Sequence, residues 1–550
     1  MPIHFKLVSA LEKIFPDQEP PGYPASLRLS GFQNEVLSLQ AAWTANEAIQ
    51  GDPRARVRFE TRCDVPVRVR QVIAVPVRFP CFPDTDEHYL RKTPGLYPDL
   101  LRDLTETTHL RAYQGIWNAV WMDIEPDGIV QPGHYTLTCL LKTMDGQVVA
   151  EQAMPFDILP GFLPRQRLIH TRWLHADCLA GYYGVPVLSD AHFDILENYI
   201  RLAVKRGCNM ILTPTHTPPL DTAVGGERPT VQLVDIQQQG DRYAFGFDKL
   251  HRFVDICRRA GAEYFEIAHL FTQWGAYFAP KIMAVKDGML QRIFGWDTPA
   301  LSDAYRGFLA QYLPALTDEL KKLGIADKTY FHLSDEPSKQ HIDQYLQVKD
   351  MTAPYLKGFP VIDALSDISF YTSGAVAHPI PAINHIEPFL AENIPNLWTY
   401  YCVGQHRDVT NTFIAMPAHR TRILGVQLYQ HNISGFLQWA YNYYYAQYSD
   451  YPVDPYLITD ADGFAPAGDA FQVYPGPGGQ PEESLRLMLF MQAMQDLRAL
   501  AWAEEIMGRD KVLAAIAQGL DKAPTLAAYP RDSAYLLDLR ERINRLIVNS

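Results

Sequence analysis

Two adjacent carboxylic acids, Asp335 and Glu336, end a short apolar stretch that begins at Phe331, and Pro337 follows them directly. Neighbouring side chains in a regular strand point to opposite faces, so both acids reach one site only if the strand ends there. Pro337 favours that ending, because it has no N–H to donate and it biases Glu336 away from helical geometry. Such a pair suits glycoside hydrolysis, in which one carboxyl group donates a proton while another negative group stabilises developing positive charge.

Acidic dipeptides at the end of a strand also have a purely structural use. They cap the helix that follows, where the positive end of the helix favours negative charge. Taken alone, Asp335 and Glu336 fit this capping role better than a catalytic one. The elements that surround the pair therefore have to decide between the two interpretations.

The first 160 residues predict an antiparallel β-sandwich. Residues 55–61 and 67–79 alternate apolar with polar or basic side chains, and Asp145-Gly146 between two strand-like runs indicates a hairpin. The stretch from Thr93 to Thr107 reads as a loop. Little helical periodicity interrupts the region, so we assign residues 1–160 to an N-terminal β-sandwich domain.

After residue 160 short apolar runs alternate with amphipathic helical segments. Apolar residues fall on one helical face between Ser189 and Arg206, and again between Phe247 and Ala260. About eight such strand–helix units predict a (β/α)8 barrel over residues 161–510, followed by a helical tail over 511–550 that packs on it. Its strands are expected at residues 168–173, 209–213, 264–270, 329–333, 361–364, 383–386, 397–401 and 435–440, with a further candidate at 470–474. An open doubly wound sheet is the alternative, but no glycine-rich nucleotide-binding turn follows any predicted strand.

In a barrel of this kind, the residues just after each strand form the active face. Here they are rich in aromatic rings and polar groups. The same composition follows five or six predicted strands, and this recurrence favours a carbohydrate pocket. Any one of them, taken alone, fits a packed core residue better than a ligand contact. The histidines are widely spaced and give no positive signal for a metal site. The candidate substrate-binding residues are Trp173, His175, Asp177, His216, His269, Trp274, Tyr400, Tyr401, Trp439 and Asn442.

The composition of the chain narrows the possible class of protein further. The chain has 550 residues and a formal charge of −13, and its lysines and arginines form no run, which argues against a nucleic-acid partner. Its seven cysteines show no Cys-x-x-Cys spacing, so we expect reduced thiols. The first residues lack a signal-peptide core, and no stretch reaches the ~18 apolar residues of a membrane span. We therefore expect a soluble, cytoplasmic protein, whose oligomeric state the sequence does not indicate.

The order of several short motifs resembles glycoside hydrolase family 123, and the resemblance runs nearly end to end. Asn34-Glu35-Val-Leu-Ser38-Leu-Gln40 carries it in the N-terminal region, and Tyr474-Pro-Gly476 carries it near the end of the barrel. The remaining motifs are Trp173-Leu-His175-Ala-Asp177-Cys178-Leu, Leu212-Thr-Pro-Thr-His-Thr-Pro-Pro-Leu-Asp221, His269-Leu-Phe-Thr-Gln-Trp274-Gly, Ser334-Asp335-Glu336-Pro337, Gly435-Phe-Leu-Gln-Trp439 and Ser484-Leu-Arg486-Leu.

The resemblance implies a retaining β-N-acetylgalactosaminidase that uses no metal and no other cofactor. It implies that the 2-acetamido group of the substrate is the nucleophile, that Asp335 orients this group, and that Glu336 is general acid and then base. A conventional retaining glycosidase is an alternative, with Asp363 as a candidate nucleophile and Glu266 as a poor one inside a predicted strand. A non-catalytic sugar-binding protein is the other alternative, although it would need no acid pair.

Overall fold

The structure is a computed structural model that describes residues 3–24, 28–105 and 108–549. Its N-terminal part consists of strands joined by turns. These strands are β1 Ile3–Ser9, β2 Leu29–Phe32, β3 Leu37–Ala45, β4 Arg54–Arg62, β5 Val67–Val77, β6 Gly95–Asp103, β7 Leu110–Tyr113, β8 Asn118–Ile124, β9 Gly133–Thr143 and β10 Val148–Leu159.

Two sheets share the core of this N-terminal part. Strands β1, β3, β8, β5 and β6 are neighbours in one sheet, and β2, β10, β9, β4 and β7 form the other. Their apolar side chains meet in one cluster, in which Trp43 and Met122 of the first sheet join Phe59 and Leu141 of the second. The alternation of strand residues thus buries one face of each sheet, as the period of two requires.

Strand β6 corrects one prediction, because residues 95–103 lie in a strand and not in a loop. This strand pairs with β5 on one side, and its Leu101 faces Glu483 of a distant strand on the other. Its burial therefore depends on a partner that lies almost 400 residues away in sequence. Local alternation is weak here because the strand carries Pro98 and Asp99.

The central part alternates short strands with helices. Its strands are β11 Ile169–Arg172, β12 Met210–Thr213, β13 Asp235–Gln239, β14 Arg242–Gly246, β15 Tyr264–Ile267, β16 Ile282–Lys286, β17 Met289–Phe294, β18 Thr329–Phe331, β19 Ile362–Ala364, β20 His378–Ile380, β21 Trp398–Tyr401 and β22 Gly435–Gln438. Its helices are α1 Ala176–Tyr183, α2 Asp190–Lys205, α3 Asp248–Ala260, α4 Asp303–Lys322, α5 Ile342–Thr352, α6 Ser369–Thr372, α7 Glu387–Ala391, α8 Ala418–Arg422 and α9 Leu424–Gln430.

Parallel pairing brings the carboxyl ends of these strands to one edge. Six strands form a sheet in the order β18, β15, β12, β11, β22, β21, and β19 pairs with β20. Isolated parallel bridges link Phe331 with Val361 and Ala382 with Tyr400. Strands β13, β14, β16 and β17 form a separate four-stranded sheet. The result is a set of half-barrel sheets whose strand ends converge on the acid pair.

Two predicted helices are confirmed in their position and their buried face. Ser189 caps α2 by accepting a hydrogen bond from the backbone N–H of His192. Helix α2 buries Phe193 and Leu196 on its apolar face, and α3 likewise buries Leu250 and Phe253. In both helices the 3.6-residue period turned one apolar stripe toward the sheet.

The prediction of a strand at residues 383–386 is wrong by a few positions. The strand is β20, which ends at Ile380, and the chain after Ala382 turns toward α7. Its position follows from pairing with β19, where Ile362 faces His378 and Ala364 faces Ile380. Pairing with another segment, and not local hydrophobicity, set this register.

The C-terminal part returns to the first sheet. It comprises β23 Val473–Pro475, β24 Pro481–Ser484, α10 Leu485–Met507, α11 Arg509–Ala517 and α12 Ser533–Val548. Strand β24 pairs with β6, and its Glu483 bridges the buried guanidinium groups of Arg70 and Arg206. The division at residues 160 and 510 stays a prediction. Within the described residues, none of the helices has the length and apolar character that crossing a bilayer needs.

Candidate active site

The backbone around Asp335 and Glu336 directs both side chains into one cleft. Strand β18 ends at Phe331, and Glu336 adopts a left-handed conformation with φ of 43°. The Glu336 N–H donates to the Ala364 carbonyl at 3.1 Å, and the Trp274 N–H donates to the Asp335 carbonyl at 2.9 Å. These two bonds tie the pair to the end of β19 and to the loop that follows β15. The strand ends at Phe331, earlier than the sequence predicted, and regular alternation therefore does not separate the two acids in the loop that follows.

The helical capping role does not apply to this pair. The next helical turn begins at Lys339 with Ser338 as its cap, and α5 begins only at Ile342. Both acids are half-buried and line one cleft. The cleft is lined by Trp173, Leu220, Asp221, Gln273, Trp274, Asp335, Glu336, Ala364, Tyr400, Cys402, Val403, Leu437, Trp439 and Phe464.

The two carboxyl groups have different surroundings. The Tyr400 hydroxyl donates to Oε1 of Glu336 at 2.6 Å, and the Cys402 thiol lies 3.9 Å from the same oxygen. Among the described residues, no group donates a hydrogen bond to the Asp335 carboxyl. Burial, and then the charge of Glu336, raise the pKa of Asp335 well above its usual range. The pair therefore holds one proton near neutral pH, since two adjacent carboxylates resist ionising together.

A buried ionic cluster lies beneath the cleft. His332 hydrogen bonds through Nδ1 to Asp363 at 3.0 Å and through Nε2 to Glu266 at 2.6 Å. Trp173, which lines the cleft, donates its indole N–H to Glu266 at 2.9 Å. The two carboxylates outweigh the effect of burial and raise the pKa of His332 to about 9. The cluster thus presents a cationic histidine that is held between two anions.

This cluster removes Asp363 and Glu266 as conventional nucleophiles. The Asp363 carboxylate accepts hydrogen bonds from His332, from the Leu333 N–H and from the Tyr345 hydroxyl. Both acids are fully buried and neither lines the cleft. Their oxygens are committed to hydrogen bonds beneath the cleft, where they hold the segment that leads to the acid pair.

One trio of side chains has metal-ligand spacing. Potential ligand atoms of His269, His332 and Asp363 lie within 4.8 Å of one another. A cation there would have to displace a proton from His332, because each of its two ring nitrogens hydrogen bonds to a carboxylate. Burial, and then the charge of His332, lower the pKa of His269, whose ring stacks on His332 at 4.2 Å. The geometry therefore fits a neutral ring packed on an imidazolium better than a metal centre.

Trp439 forms one wall of the cleft and is held there by a residue that sequence reasoning missed. Its indole N–H donates to Oδ2 of Asp469 at 2.8 Å. Asp469 is fully buried, and burial raises its pKa to about 7. The only sequence signal for Asp469 was its place just before the predicted strand that became β23.

Asp221 and Gln273 also line the cleft, although neither was among the candidate site residues. The Gln273 side-chain carbonyl accepts from the Asp221 N–H at 2.6 Å, so the two residues join neighbouring loops. Both follow predicted strands, and that position was the signal that could have found them.

Four predicted binding residues do line the cleft: Trp173, Trp274, Tyr400 and Trp439. The other six lie outside its lining. His175 and Asn442 are buried and hydrogen bond to each other, since the His175 N–H donates to the Asn442 side chain at 3.0 Å and Asn442 Nδ2 returns a bond to the His175 carbonyl.

Asp177 holds Arg228 in a buried two-pronged ion pair. Arg228 in turn donates to the Leu220 carbonyl at 2.8 Å, so Asp177 braces the loop that carries the cleft residues Leu220 and Asp221. This support role explains why an acid at a strand end need not contact a ligand.

His216, His269 and Tyr401 complete the set that lies away from the lining. The His216 ring donates to the His269 carbonyl at 2.8 Å, and both rings are fully buried. Tyr401 follows Tyr400 in β21 and so points to the opposite face, where its ring lies 4.9 Å from Phe436. A larger surface groove on the N-terminal sheets, near Tyr23 and His134, contains a single carboxyl group and brings no acid pair together.

An acid pair at the carboxyl edge of parallel strands, in a cleft walled by aromatic rings, is the arrangement of a glycoside hydrolase. The chain belongs to glycoside hydrolase family 123, because the model of the family's catalytic domain, "Glycoside hydrolase 123, catalytic domain", matches residues 173–503. The protein is therefore a glycosidase with a glycan substrate. No curated protein matches the chain at a significant level.

One solved structure shares the fold over the whole chain. A family 123 glycoside hydrolase from Clostridium perfringens, described in connection with glycolipid glycan hydrolysis, superposes with a TM-score of 0.75 at 14% identity, covering 100% of this chain and 98% of its own. A β-glucuronidase from Parabacteroides merdae reaches a TM-score of 0.31 at 11% identity, covering 89% of this chain and 51% of its own. A family 5 mannosidase from Rhizomucor miehei reaches a TM-score of 0.34 at 12% identity, covering 60% of this chain and 93% of its own.

Proposed function

We propose that the protein is a retaining exo-glycosidase that releases terminal β-linked N-acetylgalactosamine, or a related 2-acetamido sugar, by substrate-assisted catalysis. The observation that carries the proposal is the unequal hydrogen bonding of the acid pair. Tyr400 holds Glu336, whereas no described residue donates to the Asp335 carboxyl that faces the same cleft. Asp335 is thus free to accept a hydrogen bond from a bound sugar.

The roles of the two acids follow from this difference. The acetamido N–H of the substrate donates to Asp335, and a donor favours the ionised form of a carboxyl group. The proton that the pair retains then resides on Glu336, which gives it to the glycosidic oxygen as the bond to the anomeric carbon breaks. The acetamido oxygen forms the new bond to that carbon, and a cyclic oxazolinium results.

The second half of the reaction restores the enzyme. Glu336, now ionised, takes a proton from a water molecule, and the water oxygen attacks the anomeric carbon of the oxazolinium. The carbon–oxygen bond to the acetamido group breaks, and the sugar leaves with its configuration retained. Asp335 stays ionised while positive charge develops on the ring, so it stabilises both transition states.

The aromatic walls suit a pyranose. Trp173, Trp274, Tyr400 and Trp439 surround the acid pair, and we assign them to direct contact with the sugar. His175, Asp177, His216, His269, Tyr401 and Asn442 act through the strand ends and loops that they brace. The substrate is a small glycan or a glycoconjugate, which is in line with the glycolipid glycan hydrolysis described for the Clostridium perfringens protein.

The proposal includes the complete architecture. Two isolated bridges join the six-stranded sheet to the β19–β20 pair, and this pattern supports closure of eight parallel strands into a (β/α)8 barrel. The shared core of the two N-terminal sheets supports a β-sandwich in front of that barrel.

A conventional retaining mechanism is the second candidate, and one observation favours it. Asp221 is a third carboxyl group that lines the same cleft as the acid pair. In that mechanism an ionised Asp221 would attack the anomeric carbon and form a covalent glycosyl-enzyme.

Substrate fluorination separates the two mechanisms. A panel of aryl β-glycosides first identifies the sugar, and the preferred 2-acetamido substrate is then compared with its trifluoroacetamido analogue. Electron withdrawal weakens the acetamido nucleophile, so we expect kcat/KM to fall by orders of magnitude, and we expect the corresponding thiazoline to inhibit tightly. Similar rates for both substrates, no thiazoline inhibition and an inactive Asp221→Asn variant would assign the nucleophile to Asp221 instead.

A further inference from the structure

Two exposed aromatic residues, Trp274 and Tyr448, lie together at the mouth of the cleft. The Trp274 side chain is 36% exposed and that of Tyr448 is 39% exposed. Their rings meet edge to face, with centroids 5.8 Å apart and planes at 82°. Trp274 lines the cleft, whereas Tyr448 is outside its lining, contacts the Trp274 ring and is exposed to solvent. The pair therefore extends the cleft outward from the acids.

The backbone holds both rings in place although neither ring is packed in a hydrophobic core. Trp274 and Tyr448 each have a φ of 59°, a left-handed conformation that is unusual for large side chains. The adjacent Gly275 has a φ of 128°, and a Cβ there would come within 2.7 Å of the Tyr277 ring. Such conformations persist only where the surrounding structure imposes them, and they concentrate at functional sites.

Hydrogen bonds connect these positions to the residues of the catalytic cleft. The Trp274 N–H binds the Asp335 carbonyl at 2.9 Å. The Tyr448 N–H donates to Oδ2 of Asp221 at 3.2 Å, and the Ser449 hydroxyl donates to the Asp221 carbonyl at 2.6 Å. The two rings are thus fixed relative to the acid pair, as a rigid binding surface requires.

We propose that Trp274 and Tyr448 form a subsite for the sugar to which the terminal residue is attached. The inference rests on the proposed function and identifies the substrate as an oligosaccharide or glycoconjugate in which a second pyranose follows the scissile bond. The terminal sugar occupies the inner cleft, so the leaving group has to point toward the mouth. The apolar C–H face of a pyranose covers an aromatic ring, and a neutral sugar meets no repulsion from the acidic cleft.

A matched pair of substrates tests the subsite. The methyl β-glycoside of the preferred 2-acetamido sugar and a disaccharide in which this sugar is β-linked to a neutral hexose both have alkoxide leaving groups that need a proton, but only the disaccharide reaches the two rings. We expect the wild-type enzyme to favour the disaccharide, and Tyr448→Ala to reduce the ratio of the two kcat/KM values by about 5- to 20-fold. Tyr182→Ala is the control, because Tyr182 is 40% exposed and lies outside the cleft lining.

Inhibitor binding gives a readout that is independent of turnover. A thiazoline fills only the inner cleft, whereas a non-hydrolysable S-linked disaccharide also spans the mouth. Tyr448→Ala should weaken the S-linked disaccharide several-fold more than the thiazoline. An unchanged substrate ratio and equal effects on both inhibitors would overturn the subsite while leaving the glycosidase function intact. Failure of the wild-type enzyme to cleave either substrate or to bind the thiazoline would overturn the proposed function itself.

Discussion

The Tyr400 hydroxyl donates a 2.6 Å hydrogen bond to Oε1 of Glu336. The two residues are 64 positions apart, and they meet because β18 and β21 end at the same edge of the parallel strands. The bond fixes one oxygen of Glu336, so in the mechanism that we propose the other oxygen is left to face the glycosidic bond. Glu336 is therefore oriented before substrate arrives, which limits the reorganisation needed in the transition state.

Tyr400→Phe should lower kcat/KM by about 10- to 100-fold, because Glu336 loses the donor that orients it while the ring that packs in the cleft is kept. Steady-state kinetics with a glycoside of poor leaving ability measure the loss, and thermal unfolding checks that the fold is intact. Tyr401→Phe is the control, since that hydroxyl lies on the other face of the same strand. An equal loss in both variants would contradict a specific role for Tyr400.

The two acid variants should differ in their dependence on the leaving group. Glu336→Gln removes the proton donor, so it should retain far more activity on a dinitrophenyl glycoside, which needs no proton, than on a disaccharide. Asp335→Asn loses stabilisation of positive charge with either leaving group. Each role is worth roughly 10²- to 10⁴-fold in rate. Parallel losses of both variants on both substrates would refute this division of labour.

Trp439→Phe should raise KM several-fold and leave kcat less affected, because the smaller ring covers less of the sugar and its N–H no longer fixes the wall. Asp469→Asn is the matched variant, since an amide oxygen still accepts from Trp439 but cannot ionise. Burial places the pKa of Asp469 at about 7, far above its ordinary value of 3.8. Ionisation of Asp469 therefore opposes folding as pH rises from about 4 through 7.

Asp469→Asn should remove that pH dependence, so its unfolding free energy should fall less steeply than that of the wild type between pH 4 and 7. Denaturant titrations at several pH values measure the two slopes. Indistinguishable slopes would show that Asp469 does not titrate in this range, and a Trp439→Phe enzyme with normal KM would remove the indole from the sugar site.

His332 should make the protein sensitive to alkali. Its folded-state pKa is about 9 against an ordinary value of 6.5, so its stabilising contribution is complete below pH 6.5 and disappears as pH rises through 9. By linkage the difference amounts to about 3 kcal/mol, as an order of magnitude. We expect the midpoint of thermal unfolding to fall over this interval.

Glu266→Gln tests the origin of this effect, because it removes one of the two anions that hold the proton on His332. The variant should begin to lose stability at lower pH than the wild type. Thermal unfolding followed from pH 6 to 10 compares the two proteins. Coincident profiles would mean that the alkaline loss comes from other groups.

Local sequence determined the features that depend on periodicity and on single motifs. The apolar stripes of α2 and α3 followed from the 3.6-residue period, and the apolar run before Asp335-Glu336-Pro337 predicted the strand β18, although this strand already ends at Phe331. The aromatic residues that follow strands, such as Trp173 and Trp439, were candidates because parallel strands present their carboxyl ends at one edge.

Only the tertiary structure decided which of these candidates meet. Residue types at strand ends do not say which face a side chain takes, so Tyr400 lines the cleft while the adjacent Tyr401 packs on the opposite side. Asp469 and Tyr448 reach the site from segments without a strong motif, and β6 owes its burial to β24. These contacts join residues far apart in sequence, and their free energy comes from burial and pairing that no local pattern encodes.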